Sequence, residues 1–182
     1  MGKTLMSSSD TNWIQSALFE FERPLIRYAA HITGDLERAR EVVQDTFLKL
    51  CSQKPSQLRN HLAQWLYTVC RNGALDVCRK ERRMTAISEA QLDRQVDPAA
   101  GPAKALEQRE QLRQVMKVLK TLPANQQEVL RLKFQSNLSY QEISRITKLS
   151  VSNVGFLIHT GLKTIREKIQ TESGRTALRR VK

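Results

Sequence analysis

The sequence has few residues that break helices or fill aromatic cores. Its 182 residues include seven glycines and five prolines, and aromatic residues make up 5% of the chain. So few turn-forming residues favour long helices joined by short connections. Hydrophobic residues make up 40%, enough for helical cores of leucine, isoleucine and valine. No segment alternates with a period of two, so the sequence predicts an all-α fold with one ordinary domain or two small ones.

Long apolar stretches are also missing. No apolar run reaches the length of about 18 residues that a bilayer-spanning helix needs. A signal peptide and a lipidation motif are missing as well. We therefore expect no membrane insertion.

Recognisable catalytic and metal-binding clusters are absent too. The chain has an odd number of cysteines: Cys51, Cys70 and Cys78. They form no C-x-x-C motif, and each lies in a helical pattern. This predicts buried free thiols in a reducing cytosol. The three histidines make no metal-ligand spacing with them. There is no glycine-rich phosphate loop, no H-E-x-x-H motif and no pair of nucleophile and base. We therefore predict no metal, no cofactor and no catalytic activity.

Positive charge, by contrast, is abundant and unevenly distributed. The formal net charge is +12, and residues 103–182 contribute 16 basic and 6 acidic side chains. Residues 1–83 carry a net charge of +4 and residues 84–102 carry −2. Because each neutralised phosphate releases a counterion, the basic C-terminal half predicts a polyanionic partner. The alternative is a basic surface without a partner.

Helical periodicity begins after a polar N-terminus, residues 1–11, which we expect to be disordered. Apolar residues then recur at helical spacing from Trp13 to His31. Gly34 suits the left-handed position that ends a helix, and Asp35 suits the N-cap of the next one.

The next helix, in DLERAREVVQDTFLKLC, has one apolar and one acidic face. The apolar stripe comprises Leu36, Ala39, Val43, Phe47 and Leu50, and the acidic row comprises Glu37, Glu41 and Asp45. Like charges at this spacing repel slightly. The row is therefore either an ordinary solvated face or a docking surface for a basic partner, and the row alone does not decide.

A polar joint, SQKPSQLRN, leads into a third helix from His61 to about Arg83. Its core side is assigned to Leu62, Trp65, Leu66, Val69, Leu75 and either Val77 or Cys78. Its cationic end, RKERR, also favours the helix dipole and so is weak support for nucleic-acid binding. Residues 84–102 lose the pattern and contain two helix-breaking prolines, which predicts a flexible acidic linker between domains at 12–83 and 103–170.

The second domain begins with a helix from about Ala103, ended by Leu122 and Pro123, and continues with ANQQEVLRLKF. The predicted core positions are Leu106, Leu112, Val115, Met116, Val118, Leu119, Val129, Leu130, Leu132 and Phe134. Residues 171–182 form a basic tail.

The stretch LSYQEISRITKLSVSNVGFLIHTGLKTIRE is typical of a helix-turn-helix. Ser139 and Glu142 predict a capping box, and Ser150 the cap of the second helix. The buried stripe of that helix is assigned to Val154, Ile158, Leu162, Ile165 and Ile169. The outer face is then left to Ser152, Asn153, Phe156 and His159, with Lys163 one turn further along.

The second helix has no lysine or arginine between Ser150 and Leu162. Asparagine can bond adenine, serine a base or a phosphate, and phenylalanine can pack on a thymine methyl group. The helix N-terminus also offers N–H groups to a phosphate. We expect surrounding cations to grip the DNA backbone while a nearly neutral centre reads bases and shape. Those cations are Arg131, Lys133, Arg145, Lys148, Lys163, Arg166 and Lys168.

Gly155, in mid-helix, indicates close approach by another group, such as backbone. The alternative is a tolerated glycine beside a Phe156 that packs on a protein neighbour.

Four segments in this order resemble the small extracytoplasmic-function (ECF) group of bacterial sigma-70 factors: REVVQDTFLKL, AQWLYTVCRNGALDVCRKERR, LPANQQEVLRLKF and the helix-turn-helix. The likeness covers about residues 12–83 and 103–170, in the places of sigma regions 2 and 4. It implies two helical domains that bring core RNA polymerase to promoters in the bacterial cytoplasm. It also implies control by an anti-sigma factor or other regulator.

The resemblance also implies roles for residues. Contacts to the clamp helices of the polymerase's largest subunit would come from Glu41, Gln44, Asp45 and Leu48. Contacts to the −10 element would come from Arg71, Asn72, Asp76, Arg79, Lys80, Arg82 and Arg83. Contacts to the −35 element would come from Arg145, Lys148, Ser150, Ser152, Asn153, Phe156, His159 and Lys163. Tyr67 could stack on a displaced base, although Trp65 and Tyr67 more often pack in cores.

The chain departs from the resemblance at Gly155, Leu157 and Thr160, where family members commonly carry lysine or arginine. No known promoter sequence can therefore be transferred to it. Two other functions stay open: a DNA-binding regulator that acts without polymerase, and an enzyme acting on nucleic acid or nucleotides. The acidic helix followed by a basic, aromatic one favours the sigma factor, because it has no clear purpose in a simple repressor.

Overall fold

The computed structural model describes residues 8–58, 60–85 and 104–179, with side chains described for 12–58, 60–81, 83 and 112–171. The described residues form helices and contain no strand, which confirms the all-α class. In chain order the helices are α1 (Ser8–Thr33), α2 (Leu36–Cys51), α3 (Pro55–Leu58), α4 (Leu62–Thr85), α5 (Lys104–Lys120), α6 (Ala124–Phe134), α7 (Tyr140–Thr147) and α8 (Val151–Arg179).

The chain divides into two compact units, Met1–Gln95 and Val96–Lys182. The division falls within the predicted linker, most of which lies outside the described residues. Two helices are longer than predicted. Residues 8–11 belong to α1 rather than to a disordered N-terminus, and α8 extends through most of the predicted tail.

In the first unit α1, α2 and α4 pack around one core. The predicted turn between α1 and α2 is confirmed, because Gly34 has a φ of +71° and Asp35 Oδ1 accepts a hydrogen bond from the Arg38 backbone N–H at 3.0 Å. Tyr28 of α1 and Tyr67 of α4 meet edge to face, with ring centroids 5.2 Å apart. This pair lies at the contact between the first and the fourth helix.

The inward face of α4 differs in part from the predicted one, which included Leu66 but not Cys70 or Ala74. Leu66, Cys70 and Ala74 are buried at a spacing of four residues, and the Cβ that Gly73 lacks would lie 3.2 Å from Val42 Cγ1 on α2. Cys70, Gly73 and Ala74 are small and allow close packing against the neighbouring helices. The other residues predicted for this face are only half-buried: Leu62, Trp65, Val69, Leu75, Val77 and Cys78.

The three cysteines are free, but they are not all buried. Cys51 is exposed at the end of α2, which corrects the expectation of three buried thiols. Burial raises the pKa of the Cys70 thiol to about 12. Cys78 Sγ donates a hydrogen bond to the Ile32 carbonyl oxygen at 3.2 Å.

In the second unit α6, α7 and α8 pack as the predicted helix-turn-helix, and α5 packs on α8. The capping box is confirmed: Ser139 Oγ accepts from the Glu142 N–H at 3.3 Å, and Glu142 Oε2 accepts from the Ser139 N–H at 2.8 Å. Ser150 caps α8 as predicted, because its Oγ accepts from the Asn153 N–H at 3.2 Å.

The buried stripe of α8 lies at Val154, Leu157, Ile158 and Gly161. A Cβ on Gly161 would meet Leu130 Cδ1 of α6 at 2.9 Å, so α8 packs tightly on α6 at this glycine. That contact rotates Leu162 outward, contrary to prediction, and takes Leu157 inward. Two further predicted core residues, Leu112 and Phe134, are exposed.

Arg131 of α6 is buried, although the sequence predicts a phosphate contact there. Its Nε has no hydrogen-bond partner among the described residues. Burial lowers the pKa of its guanidinium group, because the charged form loses solvation. Arg131 is therefore a cation whose burial carries a desolvation cost.

Replacing Arg131 should stabilise the second unit. Arg131→Met keeps an extended side chain and removes the desolvated charge, so we expect the free energy of unfolding to rise by about 1 kcal/mol. Urea denaturation followed by circular dichroism measures the change. Arg113→Met, at an exposed position of α5, is the control and should alter stability by less than about 0.5 kcal/mol. A loss of stability in Arg131→Met would contradict this account of the site.

Candidate functional site

The outer face of α2 combines acidic and apolar side chains. Glu41, Gln44, Asp45 and Leu48 are all exposed, and their spacing of three and four residues places them on one side of the helix. Leu48 is 61% exposed, so this side of the helix presents an apolar side chain beside its carboxylates. The four predicted polymerase contacts thus form one continuous surface, the α2 docking face.

The carboxylates along α2 are not equivalent. Glu37 accepts from Arg40 Nη1 at 2.5 Å within the same helix. Among the described side chains, no ion pair forms at Glu41 or Asp45. Negative charge on the α2 docking face is therefore available to a basic partner, whereas Glu37 is already paired.

The predicted −10 residues follow one side of α4. Asn72, Asp76, Arg79, Lys80 and Arg83 are exposed at intervals of three and four residues. The set also includes Arg71, which is half-buried, and Arg82, whose side chain lies outside the described residues. The exposed residues and Arg71 form the α4 basic stripe.

Two ion pairs involve residues of α4. Arg79 Nη1 lies 2.6 Å from Asp76 Oδ1, so Asp76 restrains a neighbouring cation. Glu81 pairs with Arg38 and ties α4 to the start of α2. Tyr67, the proposed stacking residue, is 1% exposed against Tyr28, so it packs in the core and cannot reach a base.

The turn between α7 and α8 places the second helix. Lys148 closes α7 in the left-handed conformation, with φ at +63°. Ser144 Oγ donates to the Leu149 carbonyl oxygen at 2.6 Å across the same turn. The Ser150 cap then starts α8.

The outward side of α8 carries Ser152, Phe156, His159 and Lys163 at spacings of 4, 3 and 4 residues. All four are exposed, and Phe156 is 64% exposed. These residues form the α8 outer stripe, and Asn153 is exposed beside it. Most of Phe156 is therefore open to solvent.

Chain comparisons identify the family. Residues 19–84 match the model of Sigma-70 region 2, and residues 112–165 match Sigma-70, region 4. The ECF RNA polymerase sigma factor SigM of Bacillus subtilis is 30% identical over 128 residues, which cover 70% of this chain and 77% of SigM. The chain belongs to the ECF group of RNA polymerase sigma factors.

Other relatives agree. ECF RNA polymerase sigma factor EcfG of Rhodopseudomonas palustris is 28% identical over 128 residues, covering 70% of this sigma factor and 68% of EcfG. The co-crystal structure of the sigma factor RpoE with the anti-sigma factor NepR from Bartonella quintana matches with a TM-score of 0.68 at 22% identity. That match covers 86% of this chain and 96% of the matched one, and it shows a shared fold.

Membership of this sigma factor group gives the general function of the chain. This sigma factor acts with core RNA polymerase and promoter DNA, and it directs promoter-specific transcription initiation. Its family consists of regulators of transcription rather than catalysts. No described helix could cross a membrane, and the described side chains include no group of three or more potential metal ligands.

Several cations expected to grip DNA are engaged within this sigma factor. Arg131 is buried, as described above. Lys133 Nζ donates to the Leu138 carbonyl oxygen at 3.2 Å and lies 5.5 Å from the centre of the Tyr140 ring. Lys168 Nζ donates to Thr121 Oγ1 at 2.7 Å. Arg145, Lys148, Lys163 and Arg166 are exposed, and Lys163 Nζ lies 4.0 Å from Glu167 Oε1.

Tyr140 was missed by sequence reasoning. Its ring lies 3.6 Å from the Cβ position of Gly155, at ordinary contact distance, and 39% of the residue is exposed. The group close to Gly155 is therefore an aromatic ring rather than a backbone. The position of Tyr140, directly after the Ser139 cap, is the signal that points to it, because the first turn of α7 faces α8.

Lys148 offers a test that separates stability from DNA binding. Glycine adopts the left-handed conformation without the cost that a side chain imposes, so Lys148→Gly should raise the free energy of unfolding by about 1 kcal/mol. The same variant should bind promoter DNA more weakly, with a salt slope reduced by about 1 if Lys148 contacts a phosphate. Urea denaturation and salt-dependent binding measure the two effects.

Lys148→Ala is the matched control, since it removes the charge but keeps the strained backbone. It should lose DNA affinity without gaining stability. Equal stability of the two variants would contradict the assignment of strain to this turn.

Proposed function

We propose that the α2 docking face binds the clamp helices of the largest polymerase subunit. We also propose that the α4 basic stripe opens the −10 element and holds its displaced strand, and that the helix-turn-helix binds the −35 element. The observation that carries the assignment is the α2 docking face itself. It exposes carboxylates and a large leucine together, directly opposite a face that is buried in the core.

The chemistry of the three surfaces supports this division. Carboxylates without a described ion pair suit a basic protein surface, and Leu48 supplies an apolar anchor beside them. Cations along α4 suit the phosphates of a separated strand. The capped helix N-terminus and exposed polar residues of α8 suit the edge of a duplex.

In this proposal the chain has no catalytic group of its own. The polymerase supplies the chemistry, and the sigma factor works where the polymerase is, in the bacterial cytoplasm. An anti-sigma factor or other regulator would cover one of the DNA or polymerase surfaces. The structure of RpoE with NepR supports a partner of this class.

Neutralising the α2 docking face should weaken polymerase binding selectively. Asp45→Asn and Glu41→Gln each remove one charge, and we expect each to lower the affinity for core polymerase by about tenfold if that charge meets a basic group. Glu37→Gln is the control, because Glu37 is exposed on the same helix but paired with Arg40. Binding of labelled protein to bacterial core polymerase measures the change, and an equal loss in all three variants would contradict the docking assignment.

Transcription tests the function itself. The full chain with active bacterial core polymerase should give RNA that starts at defined sites on fragments of the cognate genome, and core polymerase alone should not. Mapping the 5′ ends of the RNA measures specificity. If the chain instead binds a regulatory site tightly and gives no RNA with the polymerase, it is a regulator that acts without polymerase.

A further inference from the structure

The α8 outer stripe has an unusual composition for a helix that reads DNA. It presents Ser152, Phe156 and His159 before its first cation, Lys163. Leu157, at a position where a cation could have contacted DNA, is buried instead, and Gly155 and Thr160 carry no charge. The start of α8 therefore offers no lysine or arginine to a base.

Lys163 lies far along α8 from the start of the helix. At 1.5 Å per residue it lies about 16 Å along the axis from Ser152. A recognition helix contacts base edges with its N-terminal residues. Lys163 is thus placed for the backbone, and guanine, which lysine and arginine read most often, has no such reader at the start of α8.

Phe156 is the largest exposed side chain of the stripe. It has no donor or acceptor, so it can distinguish base pairs in the major groove only through apolar contact and shape. The 5-methyl group of thymine is the apolar feature that a base edge presents there. The thymine methyl group is therefore the feature of a base edge that suits an exposed phenylalanine at this position.

We propose that Phe156 is a specificity-determining residue that reads a thymine in the upstream promoter element through its 5-methyl group. This inference rests on the proposed role of the helix-turn-helix in binding that element. Affinity would then come from the exposed cations on the flanks and from the helix N-terminus. Base preference would come from an apolar contact rather than from a charged one.

The surroundings of Phe156 favour DNA over a protein partner. A helix that docks in a protein groove repeats apolar anchors at spacings of three, four and seven residues. At those spacings from Phe156 stand Ser152, His159 and Lys163, which are polar. The α8 outer stripe therefore suits the major groove of DNA and its flanking phosphates better than an apolar protein groove.

Deoxyuridine provides the test, because it lacks only the methyl group of thymidine. Upstream elements would be selected from random duplexes with the full chain bound to core polymerase. Each thymine of the selected element would then be replaced singly by deoxyuridine. We expect one replacement to weaken the promoter complex by about fourfold, the value of burying one methyl group, when the two duplexes compete for the holoenzyme.

Variants of the protein test whether Phe156 is the source of this preference. In Phe156→Ala the preference for thymidine over deoxyuridine should disappear, and in Phe156→Leu part of it should remain. Phe134→Ala is the matched control, since Phe134 belongs to the same unit and is 61% exposed but lies at the end of α6. It should keep the full preference.

The outcomes are distinct. A promoter complex that forms normally but shows no methyl dependence, or keeps it in Phe156→Ala, overturns the inference and leaves the proposed function standing. Loss of a protein contact in Phe156→Ala with unchanged DNA preference overturns it in favour of a protein partner. Failure of the holoenzyme to form any specific promoter complex overturns the proposed function and the inference with it.

Discussion

Close packing at small residues decides which side chains each unit presents to its partners. In the first unit Gly73, Cys70 and Ala74 lie on the inward face of α4, and Gly73 allows Val42 of α2 to approach closely. In the second unit Gly161 allows the same approach by Leu130. Such a contact restricts the rotation of the helix about its own axis. It therefore also determines which face of the helix points outward.

This constraint links the core to function. Rotating α8 by one residue would bury Phe156 or His159 and expose Val154 or Leu157, so the α8 outer stripe exists only because the inner stripe packs as it does. The same holds for α2, where burial of Val43, Phe47 and Leu50 leaves the carboxylates and Leu48 outside. A mutation in the core can therefore alter a binding surface without touching it.

Charges of opposite sign lie on different surfaces of this sigma factor. Exposed cations lie on α4 and around the helix-turn-helix, where they suit the sequence-independent phosphate contacts of the proposed DNA sites. The centre of the α8 outer stripe is nearly neutral, which suits discrimination between bases. The α2 docking face carries the opposite sign. Not every cation contributes, since Arg131 is buried and Lys133 and Lys168 bond to neighbouring groups.

Periodicity and capping chemistry determined much of this protein without its tertiary structure. The turn at Gly34 and Asp35, the capping box at Ser139 and Glu142 and the Ser150 cap are local, so residues within one turn of each other specify them. The tertiary structure alone decided the long-range outcomes. It placed Tyr67 in the core against Tyr28, turned Leu162 outward and buried Arg131, because each depends on which helix packs against which. The size and polarity of residues along the sequence give only an approximate rotation for each helix. Packing against the neighbouring helices decides whether a residue at the edge of the apolar stripe is exposed or buried.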